Sequence, residues 1–136
     1  MKLTRASDPV MSKQGSPNWF SGRVWIDELA VSPEPDRVYV LRVSFEPAAR
    51  TAWHTHPHGQ TLHILSGVAR IQREGEPIVE AYPGDTVWFE PNERHWHGAA
   101  EGRTMVHLAL QRTDDHATSA YWQEHVTDAT YASFRK

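Results

Sequence analysis

The sequence predicts an all-β protein, a closed sandwich or barrel rather than an alternating α/β fold. Three observations carry that expectation. Short runs rich in apolar and β-branched residues recur at a spacing of about eight to twelve residues. Turn signals separate them: Ser66-Gly67, Glu74-Gly75 and Pro83-Gly84-Asp85. Two His-x-His pairs, His54-Thr55-His56 and His95-Trp96-His97, lie about forty residues apart, and two such pairs facing each other suit a barrel interior.

In chain order, residues 1–17 are polar, carry Gly15, Ser16 and Pro17, and read as a flexible N-terminal arm. A single domain is expected over 18–136. Trp19, Phe20, Val24, Trp25 and Ile26 have the aromatic and β-branched content of a strand. Pro33 and Pro35 make 30–36 a loop. The stretch 37–45 is the clearest strand. It sets Tyr39, Leu41, Val43 and Phe45 on an inward face and Arg42 and Ser44 on the other. Strands follow around His54 and at 61–65, 68–72, 78–82 and 86–89. The strand at 104–111 sets Met105, His107, Ala109 and Gln111 on one face. The segment 119–134 reads as helical, with a fresh helix start at Thr127-Asp128.

Composition narrows the function classes. A chain of 136 residues buries a substantial single core. The absence of cysteine removes disulfide and thiolate chemistry. A net charge of −3, with both signs mixed along the chain, gives no basic face for nucleic acid. No apolar run reaches bilayer length and the amino terminus lacks a signal-peptide core, so a soluble cytoplasmic protein without a membrane partner is expected.

Imidazole is the commonest neutral metal ligand. Strand alternation puts His54 and His56 on one face, where two ring nitrogens can share an ion. Pro57 and Gly59 then break or bulge the strand, which leaves either His58 or Gln60 as the third donor. The second pair, His95-Trp96-His97, supplies another donor about forty residues on. The bland alternative is that all of these are ordinary polar loop side chains.

The motif carries a resemblance. Ala48, His54, His56, Gln60 and Gly67 have the spacing of the first cupin motif, with alanine for its first glycine and glutamine for its usual glutamate. Gly84 to His95 follows the second motif, with Glu90 and Asn92 in place of the commoner proline and glycine and Ala99 in place of asparagine. The chain thus resembles a cupin, a double-stranded β-helix or jelly-roll barrel, here with a short C-terminal helical segment. Trp53-His54-Thr55-His56-Pro57, Gly59-Gln60-Thr61-Leu62, Val87-Trp88-Phe89 and His95-Trp96-His97-Gly98-Ala99-Ala100 are similar to the small bacterial manganese-dependent cupin hydroxynitrile lyases. That resemblance implies His54, His56, Gln60 and His95 as ligands of one divalent ion, Mn2+ by analogy, with Fe2+, Ni2+ or Zn2+ as alternatives. It also implies a small-molecule substrate, pocket positions at Leu41 and Val43, and a homodimer or homotetramer.

A carboxamide in place of a carboxylate leaves the donor set uncharged, so a divalent ion keeps its full charge and acts as a stronger Lewis acid. This favours lyase chemistry on a cyanohydrin over oxygen activation, where a carboxylate commonly supports the oxidised metal. His107 is the first choice for the base and His97 the second, and neither needs a large pKa shift to act near neutrality. Trp53 and Gln111 are expected to line the substrate pocket with Leu41 and Val43. The rival readings are a dioxygenase, decarboxylase or isomerase on the same scaffold, and a non-catalytic cupin whose ion anchors a ligand.

Overall fold

The computed structural model describes all of residues 1–136. Its strands, in chain order, are β1 (Lys13–Gln14), β2 (Phe20–Ser21), β3 (Val24–Val31), β4 (Val38–Phe45), β5 (Arg50–Thr51), β6 (His54–Thr55) and β7 (Gln60–Gly67). They continue with β8 (Ala69–Arg73), β9 (Val79–Ala81), β10 (Thr86–Phe89), β11 (His95–Ala99), β12 (Met105–Arg112) and β13 (Tyr121–Trp122). One short helix follows, α1 (Asp128–Tyr131). The first sheet runs β1-β3-β4-β12-β7-β10 and the second β13-β6-β11-β5-β2, with β8 and β9 added on the free side of β11. All pairings are antiparallel. The two sheets face each other as a jelly-roll barrel, the fold the sequence predicts.

The inward-facing residues of both sheets form the core. Alternation on β4, β7 and β12 buries Val43, Phe45, Leu62, Ile64, Met105 and Ala109 in a single cluster with Phe20, Val24 and Phe89. Burying each of the larger side chains is worth about 1.5 to 3 kcal/mol. A smaller cluster of Ile78, Trp96, Val126 and Tyr131 closes the outer side of β11. No helix is long and apolar enough to cross a membrane.

Two expectations change. Within the segment read as an arm, Lys13 and Gln14 pair with Ile26 and Trp25 of β3. The predicted C-terminal helix shrinks to one turn. Residues 119–126 are drawn out instead because Tyr121 and Trp122 pair with Thr55 and His54, and Trp53 exchanges backbone hydrogen bonds with Gln123 and Glu124. Tertiary pairing outweighs a weak local preference there. The helix start at Thr127 is real: its hydroxyl accepts from the Thr130 amide at 3.1 Å. Arg50 then anchors the segment, donating to the Val126 carbonyl at 2.9 Å and to Asp128 at 2.7 Å.

Candidate metal centre

Antiparallel register builds the site. His95 on β11 lies directly opposite His54 on β6, and the two rings stand 4.3 Å apart. His56 follows one residue past β6, with its ring 4.9 Å from His54 and 5.3 Å from His95. Gln60 opens β7 on the other sheet, opposite Phe89. All four side chains are buried. His58 takes no part; it turns outward, with its Nδ1 3.3 Å from Arg112.

The hydrogen bonds decide which ring nitrogens face inward. His54, His56 and His95 each place Nδ1 against a backbone carbonyl, those of Ala52 at 2.9 Å, Ser119 at 2.7 Å and Glu93 at 2.8 Å. A carbonyl only accepts, so Nδ1 carries the proton in each ring and Nε2 presents a lone pair. The His56 Nε2 is buried with no protein partner. The His95 Nε2 faces the Gln60 Oε1 at 3.3 Å, while the Gln60 amide nitrogen is turned away to donate to Gln111. An imidazole lone pair and an amide oxygen are both acceptors, and two acceptors held face to face repel unless a cation lies between them. The donor set therefore fits a divalent ion, supplying neutral nitrogens and one neutral oxygen.

The ring nitrogens of His54, His95 and His97 also lie within 4.8 Å of one another and can hold a divalent ion. The two triads share His54 and His95. They differ in the partner of the third ring: the Nδ1 of His56 meets the Ser119 carbonyl and the Nδ1 of His97 meets the His107 Nε2 at 3.1 Å, while Nε2 is buried without a protein partner in both. Burial lowers the pKa of every imidazole in the group: to about 3 for His95 and about 4 for His56 and His107, and well below the ordinary histidine value for His54 and His97. Mutual repulsion adds to this for His54 and His97. Near-neutral titration of His97 and His107 is thus corrected: both are held as neutral rings by desolvation.

A cavity of about 70 Å3 opens beside these residues, lined by Leu41, Val43, His97, His107, Gln111 and Trp122 among others. Leu41, Val43 and Gln111 line this cavity. Trp53 does not. It faces away from the cavity and packs under the Arg94 guanidinium, 4.3 Å from its ring centroid. Its place is taken by Trp122, whose ring lies 4.5 Å from His54 and stacks on Trp19 at 5.4 Å. Sequence reasoning missed Trp122 because it assigned that segment to a helix. Phe20 and Ser119 were missed as well, and no local motif marks either. A larger surface groove of about 410 Å3 lies between Ile71, Val79, Val87 and Trp88 and contains no imidazole.

A double-sheeted β-barrel that buries clustered imidazoles along a cavity between its sheets defines a class, the metal-holding barrels built on paired His-x-His strands. The chain belongs to the cupin family: residues 41–110 match the family described as Cupin domain. It is 50% identical over 132 residues, 96% of this chain and 98% of the relative, to a protein named (R)-mandelonitrile lyase from Granulicella tundricola. A cupin-like protein from Thermotoga maritima is similar in structure, with a TM-score of 0.80 and 39% identity over 89% of this chain and 92% of that one. The polyketide cyclase RemF from Streptomyces resistomycificus shares the fold, with a TM-score of 0.75 at 17% identity over 96% and 90% of the two chains.

Proposed function

We propose that the protein is a metal-dependent lyase that cleaves and forms cyanohydrins. The observation that carries the reading is the cluster of inward lone pairs from His54, His56 and His95 with the Gln60 amide oxygen, set beside a second imidazole pair that lines the same cavity. The relative named (R)-mandelonitrile lyase supports the choice of reaction. His54, His56, Gln60 and His95 are the ligand set we assign, in preference to the triad containing His97, because the His95 Nε2 and the Gln60 Oε1 are two acceptors set face to face, an arrangement that a cation between them relieves. A divalent ion bound there, Mn2+ by the family analogy, supplies Lewis-acid stabilisation of developing negative charge.

The chain's own residues do the rest. The His107–His97 pair serves as one base: it removes the cyanohydrin hydroxyl proton, the oxygen lone pair forms the carbonyl, and the C–C electron pair leaves with cyanide. The proton held by the pair then passes to cyanide and leaves as hydrogen cyanide. Burial keeps both rings neutral beforehand, so one lone pair is available to receive the proton. Leu41, Val43 and Trp122 wall the cavity and exclude water. A free volume of about 70 Å3 favours a small cyanohydrin over a bulky one.

The test is cyanohydrin cleavage by manganese-loaded protein under nitrogen, read as benzaldehyde release from mandelonitrile and as cyanide release from a small aliphatic cyanohydrin. Turnover that disappears on chelation, and falls about 100-fold or more in His107→Ala at unchanged metal content, is the expected result. Metal-loaded protein that cleaves neither substrate, or consumes oxygen instead, overturns the assignment.

A further inference from the structure

A chain of hydrogen bonds leaves the metal site through one ligand and returns through another. Gln60 Nε2 donates to Gln111 Oε1 at 2.7 Å, and Gln111 Nε2 donates to Ser119 Oγ at 3.1 Å. The Ser119 carbonyl accepts from His56 Nδ1 at 2.7 Å. Register makes the first link: Thr61 on β7 pairs with Leu110 on β12, so Gln60 and Gln111 are next in line on adjacent strands and point to the same face.

A carboxamide has two ends of nearly equal size and opposite polarity. Without a partner, Gln60 can turn either its oxygen or its NH2 toward the imidazoles. In the metal-free protein the lone pair on His95 Nε2 favours the NH2 end, which would present donors to an incoming cation. Gln111 opposes that turn by accepting from the Gln60 nitrogen on the far side. Its own amide is seated by Ser119, and both Gln60 and Gln111 are held between the sheets.

We propose that Gln111 is a positioning residue for the metal: seated by Ser119, it fixes the sense of the Gln60 carboxamide and thereby sets how tightly the protein holds its ion. Ser119 acts twice, through its hydroxyl on Gln111 and through its carbonyl on His56, so one residue of the C-terminal segment orients two of the four assigned donors. The inference rests on the metal-binding part of the function proposed above and is independent of the reaction.

The experiment measures Mn2+ affinity by competition with a chelator, and the visible spectrum of the Co2+-substituted protein, for the full-length chain and three variants. Gln111→Met removes the acceptor at similar length and should weaken binding by about 10-fold or more, with an altered Co2+ spectrum. Gln111→Glu can only accept, which admits only the oxygen-inward sense of Gln60, and should bind at least as tightly as the parent with the parent spectrum. Ser119→Ala, which removes a hydroxyl alone, should weaken binding by a smaller factor. Melting of the metal-free proteins separates loss of metal from loss of fold. Parent-like affinity and spectrum in Gln111→Met overturn the inference, as does equal loss in Gln111→Glu and Gln111→Met. A parent protein that binds no divalent ion overturns the metal reading itself, and this inference with it.

Discussion

At the scale of single residues, Gln60 is set apart from His58 by one backbone angle. Gly59 between them has φ of 78°, and a Cβ there would lie 2.3 Å from the Trp88 ring and 2.6 Å from the Phe89 carbonyl oxygen. That turn throws His58 out toward Arg112 and starts β7 with Gln60 facing in. Spacing left the two residues as alternatives because parity through Pro57 and Gly59 depends on a conformation, not on a period. A second departure from the cupin pattern has a thermodynamic consequence. Ala48 stands where the motif has glycine, and its φ is 64°, in the left-handed region that costs a side-chain-bearing residue about 1 kcal/mol or more. Ala48→Gly should therefore stabilise the protein by about 1 kcal/mol, raising Tm by roughly 3 to 5 °C in a calorimetric scan. An unchanged or lower Tm would show that packing of the Ala48 methyl against the minor core outweighs the strain. The same position explains why the motif was readable despite its substitution: the spacing records where the turn lies, and alanine tolerates it at a cost. Asn92, also a departure, has φ of 63°, which asparagine accepts more easily.

Among the elements, β11 is the one the site depends on. It borders β8 along one side and β5 and β6 along the other, and it carries both His95 and His97. Gly98, one residue on, pairs with Arg50, and a Cβ there would lie 2.4 Å from the Ala49 carbonyl oxygen and 2.6 Å from the Arg50 Cβ. Gly98→Ala should push β5 away from β11 and cost about 1 to 3 kcal/mol. It should also weaken metal binding, because the His97 amide donates to Thr51 across the same seam. Gly75→Ala makes the comparison: it sits at φ of 83° with no atom within 4 Å, so it should cost stability through strain and leave metal affinity unchanged. Equal metal loss in both, or in neither, contradicts this account of β11. The strands of the two His-x-His pairs were legible because alternation and turn residues agree there. The C-terminal segment was not. Its pairing with β6 is made by residues about seventy positions away in sequence, Tyr121 with Thr55 and Trp122 with His54, and no local pattern encodes such a contact. One wrong element then misplaced an aromatic: Trp53 was set in the pocket and Trp122 left out, whereas alternation from His54 already turns Trp53 the other way.

For the whole molecule, five imidazoles enclosed between two sheets couple folding to pH. His54, His56, His95, His97 and His107 are all buried, and in every one the leading cause of the lowered pKa is desolvation. In the unfolded chain each takes up a proton near pH 6.5, whereas in the folded, metal-free protein His56 and His107 do so only near 4 and His95 near 3. Between those limits the unfolded state binds more protons, so stability falls as pH falls. Each pH unit in that interval costs up to about 1.4 kcal/mol per histidine, and a domain with roughly 5 to 15 kcal/mol in hand cannot meet that cost for five rings at once. The metal-free protein should hold a level Tm above about pH 7, lose stability steeply below about 6.5, and unfold cooperatively before the lowest of these groups titrates in place. Asp27, whose pKa is lowered by its hydrogen bond from Ser12 and by Arg42, loses its stabilising charge only below the ordinary carboxylate range, so it does not contribute to this interval. A bound divalent ion ties up the inward lone pairs of the ligand set and should move the onset of acid unfolding to lower pH, while chelation returns it. Differential scanning calorimetry from pH 8 to 4.5, with and without saturating Mn2+, reads both effects. A metal-free Tm that stays level down to pH 4.5 would mean that these rings are not enclosed as neutral groups.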